Sequence, residues 1–164
     1  GLKADATGRG SLGFKWVDTQ DVRTGISTRA YHRQDYPFIG MLEQASRWGV
    51  TSLSEVVTEY GSITLPGNAT RRFVFSSFKR ERTWEPTTNQ ELPTIRTWLD
   101  YDNGATNPDL VWGNVTQVRV HAGDGHCKIT SNSYAAPDTA NWILGRLLRA
   151  TVTSRTGVDA AACP

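Results

Sequence analysis

"RWGVTSLSEVVTEYG", residues 47–61, decides the fold class, because two periods compete in it. Leu53, Val56, Val57 and Tyr60 recur at helical spacing, and Ser52 with Glu55 has the form of a capping box. Yet Val50, Thr51, Val56, Val57, Thr58 and Tyr60 favour strands, and glycines bracket the run. The preceding "YPFIGMLEQASRW" puts Phe38, Met41/Leu42, Ala45 and Trp48 along one helical face. Pro37 stands where a helix can open, and Gly49 where a C-cap glycine belongs. A helix ending at Gly49 leaves only a two-residue connection before Ser52, so residues 50–60 are expected to form a strand.

Outward from this unit, the chain reads as strands and turns. "FKWVDT" and "TGISTRAYHRQ" precede it, and "RRFVFSSFKRERTW" follows a "LPGNAT" turn, with Phe73 and Phe75 on one face. "TIRTWLDYDNG" ends in an Asn-Gly turn signal. "NVTQVRVHAGDGHCKITSNSY" is a hairpin about Gly-Asp-Gly, and "WILGRLLRATVTSRTG" is a closing apolar and β-branched run. The 15 glycines, 7 prolines and 6 tryptophans fit a mostly β chain, and 164 residues fit one domain. The expected fold is all-β: an eight-stranded antiparallel jelly roll or β-sandwich with one short helix near residues 38–47. Residues 1–13, "GLKADATGRGSLG", read as a flexible arm, and 14–164 as a single shell-like domain. The chain starts at glycine, so a processed or trimmed N-terminus is expected.

A net charge of +2 excludes a uniformly polybasic binder, but the positive charge is clustered. Lys3, Arg9 and Lys15 lie early, and Arg71, Arg72, Lys79, Arg80 and Arg82 crowd around Phe73, Phe75 and Phe78. Basic side chains interleaved with aromatics can hold single-stranded nucleic acid by charge and stacking; the plainer reading is core phenylalanines with a solvated basic rim. Asp100, Asp102 and Asn103 in "DYDN" supply hard oxygen donors suited to calcium, against a solvated turn as the alternative. His121 and His126 flank the hairpin tip and could face each other there, but no second ligand pair completes a zinc site. Motifs of phosphate-binding loops, zinc proteases and serine hydrolases are absent, so no enzyme is expected. No apolar run of helical membrane-spanning length occurs, and no membrane partner is expected. Cys127 and Cys163 could pair, and two cysteines alone leave that open. Asn68-Ala-Thr and Asn114-Val-Thr are sequons.

Residues Tyr36 to Tyr60 carry a family resemblance. "YPFIGMLEQASRWGVTSLSEVVTEY" is similar to the aromatic-Pro start, short helix and following strand of the jelly-roll shell domain of small icosahedral virus coat proteins, of the satellite-virus or tombusvirus type. "ILGRLLRATVTSRTG" resembles that fold's closing strand, and "DYDN" the acidic cluster that binds calcium between subunits in some members. The resemblance implies a coat protein of the virion that self-assembles into an icosahedral homo-oligomeric shell. It would package single-stranded viral nucleic acid through its basic clusters. Two other readings stand beside it: a secreted carbohydrate-binding β-sandwich, and a small nuclease using His32, His121 or His126 as base.

Overall fold

The computed structural model describes residues 1–5, 10–65, 71–102 and 112–163. The described chain is all-β. Strands β1 (Leu2–Asp5) and β2 (Gly10–Phe14) pair as a two-stranded sheet, so residues read as an arm carry a hairpin. The others are β3 (Trp16–Gln20), β4 (Ser27–His32), β5 (Leu42–Trp48), β6 (Ser52–Thr64), β7 (Arg72–Thr83), β8 (Ile95–Tyr101), β9 (Val115–Ala122), β10 (His126–Tyr134) and β11 (Leu147–Arg155). These form one nine-stranded sheet in sequence order, from β11 at one edge to β3 at the other. The chain divides into two compact units: Gly1–Tyr60 with Lys79–Ile95, and Gly61–Phe78 with Arg96–Pro164.

Residues 52–64 are a strand, as the opening stretch predicts. The helix expected near 38–47 is not formed. Gly40, at φ 79°, and the Met41 N–H bonded to the Phe38 carbonyl make a turn, after which Leu42–Trp48 runs as a strand. The helical spacing there was real, but β4 and β6 on either side satisfy the backbone of β5 along its length. Local period loses to sheet pairing.

In the first unit the register lays residues in rows. Val17, Ala30, Ala45 and Val56 lie side by side on one face, while Asp18, Arg29, Ser46 and Glu55 form a polar row on the other. No described residue of this unit is buried.

The second unit holds the buried patch. A row across β8, β9, β10 and β11 runs Arg96, His121, Cys127, Arg155, and the next runs Trp98, Arg119, Ile129, Thr153. Cys127 forms a disulfide with Cys163, 36 residues on, which ties the C-terminal turn Ala160–Ala162 against this face. His121 lies opposite Cys127, not His126. Its Nε2 donates to the Val158 carbonyl at 2.8 Å, since a carbonyl can only accept. Cys127, Ile129, Cys163 and His121 are the buried residues among those described. Elsewhere in the unit Phe73 and Phe75 stack at 5.5 Å, and Tyr101 meets Phe75 at 4.9 Å. Gly61 lies beneath Phe75, where a Cβ would come within 2.6 Å of the ring.

Two outcomes follow from this packing. Closing a loop of 36 residues in the unfolded chain is worth about 4 kcal/mol, so Cys127→Ser should lower the urea-unfolding free energy by roughly that amount. Gly61→Ala should cost on the order of 1–3 kcal/mol in the same measurement, because the Phe75 ring must leave its position.

Candidate nucleic-acid interface

Three of the four basic residues of β7, Lys79, Arg80 and Arg82, are paired with carboxylates. Lys79 pairs with Glu81 at 2.8 Å, and Arg80 with Glu55 at 3.3 Å. Arg82 grips Glu91 with two hydrogen bonds, of 3.0 and 2.7 Å, and stands 3.6 Å from Glu55 as well. Its guanidinium lies 4.9 Å from the centre of the Trp84 ring. Strand alternation puts Arg80 and Arg82 on one side, and the chain supplies Glu55 and Glu91 to meet them. Arg72 donates to the Thr64 hydroxyl. These side chains cross-link strands before they can bind a polyanion.

Lys3 and Lys15 differ. They line a pocket of about 290 Å³ with His32, Arg33, Gln34, Asp35 and Glu43, and neither has a carboxylate partner among the described residues. Arg33 in that pocket is bound by Asp35 at 2.7 Å and lies 4.5 Å from the Phe38 ring centre. Arg71 is exposed and also lacks a carboxylate partner among the described residues. Arg9 lies outside the described residues.

Asp100 and Asp102 part company. The register shifts between Asp100 and Tyr101; Asp100 accepts from Arg119 at 3.2 Å, and Asp102 from the backbone N–H and side-chain amide of Asn114, both at 2.9 Å. Asn103, the third expected calcium ligand, lies outside the described residues. Among the described residues no group of three or more His, Cys, Asp or Glu could hold a metal ion. The Asn114 sequon has its amide nitrogen in two bonds, to Asp102 and to the Leu144 carbonyl.

Two groupings escaped sequence reasoning. Arg29 sits among Trp16, Tyr31 and Trp48, with its guanidinium 5.0, 5.9 and 6.0 Å from their ring centres. Asp18 holds that guanidinium by two hydrogen bonds of 2.6 and 2.7 Å, and the Arg29 bond in turn keeps the Asp18 carboxyl below its usual range. Trp16 is 44% exposed, so the cluster offers a flat π surface beside an apolar pocket lined by Phe14, Trp16 and Val17. The alternation of Arg29 with Tyr31 was visible in the sequence, but their meeting with Trp16 and Trp48 needed the β3–β4–β5 register. The second is a row across four strands: Arg96 and Arg155 stand at its two ends with His121 and Cys127 between, and neither they nor Arg149, farther along β11, have a carboxylate partner among the described residues.

No protein-family profile matches the chain, and no characterised protein or solved structure shows a significant match to it.

The Arg82–Glu91 pair makes a pH prediction. Hydrogen bonds from Arg82 and then Thr94 hold the Glu91 carboxyl down at about 2. A carboxyl lowered on folding contributes stability that is complete above its unfolded range and is lost as pH falls through its folded value. The contribution should therefore be complete above about pH 5 and fade progressively as pH falls from about 5 to 2. Carboxyl-carbon NMR should show Glu91 titrating near 2, and Arg82→Met should return it towards the ordinary glutamate range.

Proposed function

We propose that this chain is a structural subunit that acts by assembly, a coat-type protein whose β-sheet is covered by further copies and whose uncompensated basic residues meet nucleic acid. The observation that carries the reading is the burial pattern: a nine-stranded sheet with four buried residues among those described, all in one patch. A domain of this length that worked alone would bury roughly 70% of its unfolded surface and keep its large apolar side chains inside. Here Leu2, Phe14, Trp142, Leu147, Leu148 and Val152 are all more than half exposed. Surfaces of this kind mark interfaces. Such a protein needs no catalytic pocket, and its setting in this reading is the virion.

The jelly-roll resemblance carries over as a use, a shell subunit built on β-strands, rather than as connectivity. Jelly rolls take Greek-key crossovers, and the strands here are neighbours in sequence order. Nucleic acid would be held by Lys3, Lys15 and Arg71, with Arg96, Arg149 and Arg155 added. The Trp16 platform would stack unpaired bases. Arg80 and Arg82 serve the fold instead. The carbohydrate-binding reading keeps one specific support, the exposed Trp16–Arg29–Trp48 cluster beside its apolar pocket.

Sedimentation of the native protein with its ultraviolet absorbance spectrum tests this. Fast, uniform particles with nucleic-acid absorbance are the expected result; a slow monomer retained on a sugar column would favour the carbohydrate reading and sink the coat one. For single-stranded oligonucleotide binding, followed by fluorescence anisotropy, Lys3→Ala with Lys15→Ala should flatten the log K against log salt slope by about 1.4, at about 0.7 per phosphate contact. Arg80→Ala should leave that slope unchanged.

A further inference from the structure

The pocket that holds Lys3 and Lys15 is assembled from separate pieces of the first unit. Gln34 clamps the β1–β2 hairpin: its side-chain amide donates to the Gly13 carbonyl at 2.7 Å and to the Gly1 carbonyl at 3.0 Å. The hairpin register sets Lys3 beside Gly13, next to that clamp. Lys15 follows β2, and the His32 N–H donates to its carbonyl at 2.8 Å. That bond extends the Trp16–Tyr31 pairing by one step, so Lys15 and His32 project from the same face. Glu43 comes from the irregularity at the start of β5, where Tyr31 pairs with Gln44 and His32 with Leu42.

The chain supplies a partner for one cation of this pocket and not for the other two. Arg33 holds Asp35 in a fork, with bonds of 2.7 and 2.5 Å. The Asp35 bond, and more weakly the charge of Glu43, keep the Arg33 guanidinium above its usual range. Lys3 and Lys15 meet no carboxylate among the described residues. The lining therefore carries three cations, Lys3, Lys15 and Arg33, against the two carboxylates of Asp35 and Glu43, and the excess positive charge is on the ammoniums. Like charges gathered at one cavity repel, and an anion placed between them replaces that repulsion with attraction.

We infer that this pocket takes a phosphate group. The inference rests on the reading above, that uncompensated basic residues meet nucleic acid, and gives that contact a definite place. The donors left open select the ligand. A planar carboxylate is best met by a guanidinium fork, and the fork in this pocket is already filled by Asp35. Two ammoniums and the His32 ring are point donors from different segments, which suit the oxygens of a tetrahedral anion. The volume, about 290 Å³, is at the small end of ligand pockets, which run to roughly 300–1,000 Å³. Glu43 lines the same cavity and works against an anion, which gives the site a signature that a merely structural cluster would lack.

Titration calorimetry of the full chain with inorganic phosphate, at neutral pH and low salt, tests this. Phosphate should bind saturably, one equivalent per chain. Lys3→Ala and Lys15→Ala, each checked by circular dichroism, should weaken it about tenfold or more, the usual scale of a lost charge-assisted bond. Glu43→Gln should tighten it severalfold, and Arg80→Ala should leave it unchanged. Absence of saturable binding, or binding that both lysine changes leave intact, overturns the site. So does a Glu43→Gln chain that binds more weakly. Single-stranded oligonucleotides ending in a phosphate or in a hydroxyl then compete with the inorganic ion. Competition by the phosphorylated end alone identifies a strand terminus as the ligand, and equal competition identifies an internal phosphodiester. Competition by neither sustains the site for a small phosphate compound and removes it from nucleic-acid binding. Sedimentation separates the two readings. A monomer that binds phosphate with this pattern keeps the site and sinks the coat, whereas nucleic-acid-filled particles without phosphate binding keep the coat and sink the site.

Discussion

A β-sheet has two faces and two edges, and each must be paired, covered or left wet. Within the described residues this protein covers one small area. The Cys127–Cys163 bridge draws the C-terminal turn onto β9 and β10, and His121 caps that contact by donating to the Val158 carbonyl. The buried Cys127, Ile129, Cys163 and His121 depend on that closure. Among the described residues the remaining rows of side chains are half-exposed or exposed. In the assembly reading proposed above, such faces would be buried between chains.

Electrostatics follows the same logic. On an open sheet, arginines in the middle of strands have no solvent-free core to avoid, but they do face carboxylates at cross-strand distance. Glu55, Glu91 and Asp18 take up Arg80, Arg82 and Arg29, and the guanidiniums lie on Trp84, Trp16, Tyr31 and Trp48. Exposed pairs of this sort contribute little stability one by one. Their larger effect is positional, since they hold aromatic planes in place and remove positive charge from the pool available to a polyanion. Lys3, Lys15, Arg71, Arg96, Arg149 and Arg155 are among the described basic residues that keep no carboxylate partner.

Much of the strand inventory was legible. Alternation and turn residues located β3, β4, β6, β7, β8, the β9–β10 hairpin and β11, because a strand's period and the φ requirement of a glycine turn are local properties. Phe73 and Phe75 sharing a face followed from the same alternation, and the structure stacks them. The segment 38–47 misled because its apolar spacing suits a helix, while its structure is set by β4 and β6 on either side. The partners of the basic cluster at 79–82 were hidden for a related reason. Composition records the arginines, but the glutamates that neutralise two of them come from β6 and from Glu91, 9 to 27 residues away.

The sequence by itself therefore determined the class of the protein: β in the main, with a helix misplaced at 38–47, Gly-rich turns, clustered positive charge and no recognised catalytic motif. Tertiary structure decided the sequential order of the nine strands, the pairing of Cys127 with Cys163, and which charges are spent inside the fold. The division has one physical cause. Period, turn chemistry and residue type act over a few residues, whereas strand register acts between segments that the chain brings together from far apart, and a shift of one residue moves every side chain to the opposite face.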